Sequence, residues 1–447
     1  MRKAFLVFAV LFSNMGWAQN PVQPLSLDDC ITTALENNIE LKQAKNNEII
    51  AESNRMRAIM NFFPTLSAGI NYDFFFGTFF DPNAARQVSE TTSSSSPNLS
   101  SSLTIFNGFS NHHRLNQSRH AQDAAKAATE NSALSVEGNI LTFYLNVILD
   151  KENIKIAEER VELLSAQLER EKLRESVGVG NLESVYNFQG QLASQKLTLN
   201  NLQNTLKRDL LGLFQAMQLD PNDAEYEVVG YDVQEDELLL EEAPFSEVLS
   251  ACIDNSPALK AANSNFNASK FAFKSARAQR YPSITAFGRL GSNYSTNGAL
   301  NPEDGSFLPD ATFSEQMTFN EFEYVNFSLN IPIFTRFETT NNIQIARVSM
   351  ANSELQVTQE MNNVTNLVQT AYLDLVNAQD TYVSAKENLE AAAQTFDFMK
   401  KRFETGNTDF YTYLESLNNK NSAQLQLVNA KYSIVFRKKI LELYRGS

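Results

Sequence analysis

The chain has 447 residues, 43 % of them hydrophobic, and a formal net charge of −15. An acidic chain is a poor partner for nucleic acid, whose phosphates are bound through Lys and Arg. Past residue 18 there is no unbroken apolar stretch long enough for a membrane-spanning helix, so no such helix is expected.

The first eighteen residues read as an export signal. Arg2 and Lys3 supply the positive start, Ala4 to Phe12 the apolar middle, and Gly16-Trp17-Ala18 a small-x-small cleavage pattern. Its removal takes two positive charges, so −15 becomes −17. No Cys follows the cut, which argues against a lipid anchor there.

An amphipathic helix is predicted over Ser26 to Asn61, closing before Pro64, which cannot continue it. The period then changes to two: Leu66, Ala68, Ile70, Tyr72, Phe74 and Phe76 alternate with Ser67, Gly69, Asn71 and Asp73. A polar loop over 78–97 is expected next. The alternation Leu99, Ser101, Leu103 and Ile105 against Ser100, Ser102 and Thr104 follows. Phe74, Phe75, Phe76, Phe79 and Phe80 crowd one strand end and suggest an interfacial girdle; packing beneath a loop is the alternative.

From Gly108 to Val177 there is no proline, and Ile140, Val147, Ile154, Val161 and Leu168 are spaced by seven. One helix of roughly 105 Å fits that run. The repeat of seven requires helices to coil around each other. Ala121, Ala124, Ala125, Ala127 and Ala128 favour close helix approach. A turn is expected at Gly180, after which Val185, Leu192, Leu199, Leu206 and Leu213 resume the stripe. An acidic linker, 218–243, separates this half from the next.

The chain then repeats itself. Leu27, Ile31, Leu41, Lys42 and Pro64 return as Phe245, Leu249, Leu259, Lys260 and Pro282, and a second helix is predicted over Phe245 to Arg280. Strands are expected over Ile284 to Tyr294 and Val325 to Ile331, joined by a polar loop over 295–320. Phe106, Phe109 and Tyr144 return as Phe334, Phe337 and Tyr372, while Gly180 and Asn181 are matched with Gly406 and Asn407. A second stripe runs through Val368, Leu375, Tyr382, Leu389, Phe396 and Phe403. Past Gly406 it reads as degraded: Tyr411, Leu425 and Tyr432 keep it, Asn418 and Lys439 do not. The expected organisation is a signal over 1–18, a first repeat over 19–217, a linker over 218–243 and a second repeat over 244–447.

Strands of 9–11 residues suit a tilted bilayer crossing, although a soluble antiparallel sheet with one wet face has the same pattern. A spanning sheet must close, and four strands fall short of the eight of the smallest barrels. Spanning strands therefore require several chains to share one barrel, with the helical hairpins continuing its wall as a ring around a lumen.

These features resemble the TolC-like outer-membrane factors. The resemblance is carried by Phe63-Pro64, Tyr281-Pro282, Ile331-Pro332-Ile333-Phe334, Phe403-Glu404-Thr405-Gly406-Asn407 and Asn429-Ala430-Lys431-Tyr432. It implies a mainly α chain with a transmembrane β part, trimeric, with a twelve-stranded β-barrel continued by a twelve-helix α-barrel in the periplasm. It further implies a periplasmic adaptor docked at tips formed by Gly180, Asn181, Leu182, Gly406, Asn407 and Thr408, and an inner-membrane pump of the RND or ABC type. It implies, too, a periplasmic gate where the tunnel narrows near those tips, at which relatives often carry two carboxylates three residues apart on the last long helix. Here the second maps to Glu415 but the first to Thr412, with Asp409 as the nearest substitute.

The remaining candidates are thin. His112, His113 and His120 read as surface histidines rather than metal ligands. Val177-Gly178-Val179-Gly180 follows a helix and lacks the Lys of a phosphate loop. Cys30 and Cys252 read as packed free thiols, with a disulfide as the alternative in an oxidising compartment. No nucleophile, base and orienting acid fall at a recognisable spacing. No enzyme, cofactor or metal is expected. The leading reading is the outer-membrane exit duct of an efflux system. A duct for type I protein secretion is the alternative, and a structural trimeric coiled coil of the envelope is the reading from a different class.

Overall fold

The computed structural model describes residues 23–81, 85–89, 91–220, 226–230, 238 and 243–446. The export signal and most of the acidic linker lie outside the described residues. The chain divides into two compact units, one drawing on residues 1–45, 128–259 and 361–447, the other on 46–127 and 260–360.

The first unit is helical. Strand β1 (Gln23–Leu25) leads into α1 (Leu27–Asn37), whose start is fixed by a capping box between Ser26 and Asp29. The helix then breaks, and α2 (Ile39–Met60) begins after Asn38, whose side-chain oxygen accepts from the Leu41 N–H at 3.0 Å. In the second half α5 (Phe245–Asn255) and α6 (Pro257–Ala278) break at Ser256, whose Oγ accepts from the Leu259 N–H at 3.2 Å. Each single helix expected from the sequence is thus two helices. The reason is local: Asn and Ser supply the N-cap acceptor, and Pro257 is tolerated only in a first turn.

Four long helices follow. Helix α3 (Ser110–Ser176) and helix α8 (Glu338–Glu404) have 67 residues each, about 100 Å at 1.5 Å per residue. Helices α4 (Leu182–Met217) and α9 (Phe410–Arg445) have 36 each. Each starts and stops 228 residues after its counterpart, so one offset covers both hairpins. That corrects the pairing of Gly180 with Gly406. The residue equivalent to Gly406 (φ 76°) is Gly178 (φ 77°), both in the left-handed region that closes a helix. Gly180 is required for room instead, since a Cβ there would lie 2.4 Å from the Glu175 nitrogen.

The corrected offset also repairs the last stripe. Val185, Leu192, Leu199, Leu206 and Leu213 correspond to Tyr413, Lys420, Leu427, Ile434 and Leu441, of which Tyr413, Ile434 and Leu441 are buried. Tyr411, assigned to the seam from sequence, is 63 % exposed. Only Lys420 departs, and its ammonium lies 5.0 Å from the Phe396 ring centre.

Three apolar clusters hold this unit. One joins α1, α3 and α4 with β6 (Tyr226–Val228), which pairs in parallel with β1; Cys30, Ile140, Tyr144, Val147, Leu213 and Met217 are its centre. A second joins α5, α8 and α9 around Val248, Cys252, Val368, Leu375 and Ile434, and the one described residue of 231–242, Leu238, is buried in it. The third lies near the hairpin turns. The two cysteines are free and buried in separate clusters, and burial pushes the Cys30 thiol up to about 12. One 18-residue window of α3 has a mean hydropathy of 1.3, enough by composition for a membrane span. The apolar side chains Ile140, Leu141, Tyr144 and Val147 of that helix are buried against protein.

The second unit is built on an antiparallel sheet. It contains β2 (Thr65–Phe75), β5 (Thr92–Asn107), β7 (Ser283–Gly291) and β11 (Phe322–Asn330), in the order β11-β7-β5-β2. The short strand β8 (Tyr294–Ser295) also pairs with β5. The two expected polar loops carry structure of their own. The first holds β3 (Phe79–Asp81), β4 (Arg86–Val88) and the start of β5. The second holds β9 (Ala299–Leu300), β10 (Phe307–Leu308) and α7 (Phe313–Phe319). Ser93 to Ser96 hide the start of β5 because four like residues show no alternation, yet their backbone pairs with β2. After β5 the chain enters α3 through Gly108 (φ 66°) and Phe109 (φ 66°). Arg336 (φ 48°) and Phe337 (φ 69°) make the same turn into α8.

Candidate functional site

The register of the sheet decides which side chains share a face. Leu66, Ser101, Gly288 and Val325 form one cross-strand row; Leu103, Ala286 and Phe327 form the next, and Ala68, Leu99 and Leu290 continue that face. The opposite face carries the row Ser67, Ser100, Arg289 and Tyr324 and the row Thr104, Thr285 and Ser328. The Ser67 and Ser100 hydroxyls are 2.9 Å apart there. One face is therefore mostly apolar and the other mostly polar.

A soluble sheet covers its apolar face with helices or a second sheet. This one does not. Leu66 is 73 % exposed, Ile70 69 %, Val325 71 % and Phe327 71 %. Such a band, nine to eleven residues tall in β2, β7 and β11, fits hydrocarbon. Of the clustered aromatics, Phe74 stands on the apolar face with its ring 5.1 Å from that of Tyr72. Phe75 points the other way and packs on Phe79 at 5.0 Å. Phe76 and Phe80 are exposed.

In the first unit, the two turns bring the tip residues together. Asn181 caps α4 by accepting from the Glu183 N–H at 2.9 Å. Asp409 caps α9, accepting from the Thr412 N–H at 2.9 Å and the Thr412 hydroxyl at 2.7 Å. Those bonds, from backbone first and hydroxyl second, hold the Asp409 carboxyl below its ordinary range. Gly180, Asn181, Gly406 and Thr408 line a cleft of about 440 Å³ beside buried Glu171 and its ion-pair partner Arg174. Leu182 is exposed at the first turn of α4, and Asn407 donates from its backbone N–H to the Arg402 carbonyl. Glu415 is exposed on α9, one turn past Thr412.

Sequence reasoning missed what welds the tips. Phe188, Phe396, Phe403, Phe410 and Tyr413 form one ring cluster, with Phe188 4.5 Å from Phe410 and Tyr413 stacked 4.8 Å from Phe403. The 228-residue offset, applied past Gly406, identifies Tyr413 as the partner of Val185 and is the signal that finds it. Asn418, read as a fault in the stripe, accepts a hydrogen bond from Arg160, and Arg170 pairs with Glu404 at 3.0 Å. In the second unit, His113 and His120 pack on Phe271 at 6.3 and 5.5 Å. Among the described residues no three His, Cys, Asp or Glu side chains are placed to hold a metal ion.

The sequence pattern of the outer membrane efflux proteins matches residues 30–217 and 248–446. The chain belongs to the outer membrane efflux protein family. It is 24 % identical over 332 residues to the outer membrane protein TolC of Vibrio cholerae serotype O1, covering 70 % of this chain and 69 % of that one. Its fold is that of CusC, with a TM-score of 0.80 at 17 % identity over 98 % of this chain and 95 % of the other. It is also that of VceC from Vibrio cholerae, with a TM-score of 0.79 at 15 % identity over 94 % and 96 %. Membership makes this efflux family protein a channel component and not an enzyme, set in the cell outer membrane with its helical part in the periplasm.

Proposed function

We propose that this protein is the exit duct of a tripartite efflux system, a passive outer-membrane channel through which small molecules leave by way of a periplasmic tunnel. The observation that carries the reading is the sheet of four long strands, apolar and bare on one face, with β2 and β11 unpaired at its outer edges among the described residues. Backbone groups at a sheet edge cannot be left in hydrocarbon. Three chains pairing β2 of one with β11 of the next give twelve strands and no edge. The four long helices of each chain then give a ring of twelve. The near-equal halves, 19–217 and 244–447 about a linker over 218–243, make that wall almost uniform.

In this reading the tips at Gly180, Asn181, Leu182, Gly406, Asn407 and Thr408 receive a periplasmic adaptor, which joins the duct to an inner-membrane pump of the RND or ABC type. Glu415 from three chains forms the narrow acidic ring, which attracts cations and repels anions. Asp409 and Thr412 set the helix start that positions it. Reconstitution into planar bilayers tests the conduit: stepwise conductance is expected, and a preparation that inserts without conducting refutes it. Asn181→Cys or Thr408→Cys, crosslinked in cells, is expected to capture the adaptor, whose identity separates efflux from protein secretion.

A further inference from the structure

The four long strands carry one basic side chain, Arg289 on β7, and two acidic ones, Asp73 on β2 and Glu323 on β11. Register places Arg289 on the polar face, in the row of Ser67, Ser100 and Tyr324. Glu323 pairs with Leu290 and so stands on the apolar face. Asp73 shares the polar face but lies well along β2 from Ser67, roughly 20 Å at about 3.3 Å per residue. Among the described residues no carboxylate forms an ion pair with Arg289.

Aromatic rings hold the guanidinium instead. Phe322 is the cross-strand partner of Gly291, diagonal to Arg289, and its ring centre lies 5.6 Å from the guanidinium carbon. Gly291 makes that seat possible, for a Cβ there would come within 3.0 Å of the Phe322 ring. Tyr324, directly opposite Arg289, packs with Phe287, their ring centres 6.3 Å apart. The Nε atom of Arg289 is sealed with no hydrogen-bond partner. An ion pair would cancel the charge, whereas a ring face positions the side chain and leaves the positive charge in place. Counted from Pro64 and Pro282, the first-half equivalent of Arg289 is Asn71, which is neutral. Each chain therefore offers this charge once.

We propose that Arg289 is a charge-selecting residue of the pore: three copies, one from each chain at one level, form a cationic ring that gathers anions and turns cations away. This rests on the duct reading, in which the apolar face meets lipid and the polar face lines the lumen. The solutes it favours are small anions, carboxylates and phosphates among them, for which a guanidinium is the natural partner. Three unit charges roughly 10 Å from the axis, in water with a screening length of about 10 Å, enrich an anion there about twofold and deplete a cation as much. The sign is opposite to that of a Glu415 ring, so the two pull selectivity in contrary directions.

Planar-bilayer recordings of the full-length protein in a potassium chloride gradient near 0.1 M test it. Arg289→Gln is expected to raise the potassium-to-chloride permeability ratio about twofold or more, and Arg289→Lys to keep the wild-type ratio. Near 1 M salt, where the screening length is about 3 Å, the Gln difference is expected to fade. Arg289→Cys guards against a substitution that spoils insertion. In its open pore a cationic thiol reagent is expected to lower the ratio and an anionic one to raise it, the two native thiols being buried. A conducting pore whose ratio ignores Arg289→Gln, or shifts equally with Arg289→Lys, overturns the proposal alone. So does a Cys variant indifferent to the sign of the reagent. A wild type that inserts without conducting overturns the duct reading and this one with it.

Discussion

Tyr413 is fully buried among Phe188, Phe396, Phe403 and Phe410, and its hydroxyl has no partner. A sealed, unpaired hydroxyl costs roughly 1–3 kcal/mol, so Tyr413→Phe is expected to leave the unfolding midpoint unchanged or raise it. Tyr413→Ala removes the ring stack and is expected to cost on the order of 3–5 kcal/mol. A thermal melt of the two variants side by side checks both signs. Asp409 makes its stabilising contribution as an ionised cap, with its carboxyl held low by Thr412. A lowered carboxyl stabilises above the ordinary carboxyl range, and that stabilisation is lost as pH falls through the depressed value. Exchange at amides 410–413 is expected to quicken in strong acid for the wild type and much less for Asp409→Asn, which keeps a cap that does not titrate. Glu415→Gln leaves the helix intact and is expected to lower cation selectivity in planar bilayers; unchanged selectivity removes Glu415 from the lumen.

For strand β11 the two faces make opposite predictions. Phe327→Arg places a charge on the lipid face and is expected to cost about 2–4 kcal/mol near the midplane. Ser328→Arg, its neighbour on the polar face, is expected to be tolerated. Insertion into vesicles measured for the pair separates them, and equal tolerance would show that the apolar face is not in lipid. At the junction into α3, Gly108 has φ 66° and an added Cβ would lie 2.6 Å from the Ala278 carbonyl. Arg336 tolerates the equivalent angle in the second half, so close approach rather than backbone angle is what demands glycine at 108.

On the proposed duct reading, the whole molecule makes a demand that no single chain meets. Two sheet edges in hydrocarbon each leave a row of unpaired backbone groups, and closing them needs further strands. Protein purified in detergent is accordingly expected to run as three chains by light scattering. A monomer that still inserts and conducts would require closure by other means.

Read alone, the sequence determined the duplication, the strand faces, the long hairpins and the family, while the state of the two cysteines was settled by the structure, which buries them in separate clusters. Those depend on local periodicity and on spacings that each half repeats. It aligned the two turns two residues out of step, because a glycine kept for room at 180 was matched with one kept for its backbone angle at 406. That slip hid Tyr413 and made a sound seam look broken. It read two helices where Asn38 and Ser256 make four, since the caps lie inside unbroken amphipathic patterns. Which charged groups meet was decided only in three dimensions. Arg170 and Glu404 are 234 positions apart in the chain, and only the folded packing of α3 and α8 brings their side chains to 3.0 Å.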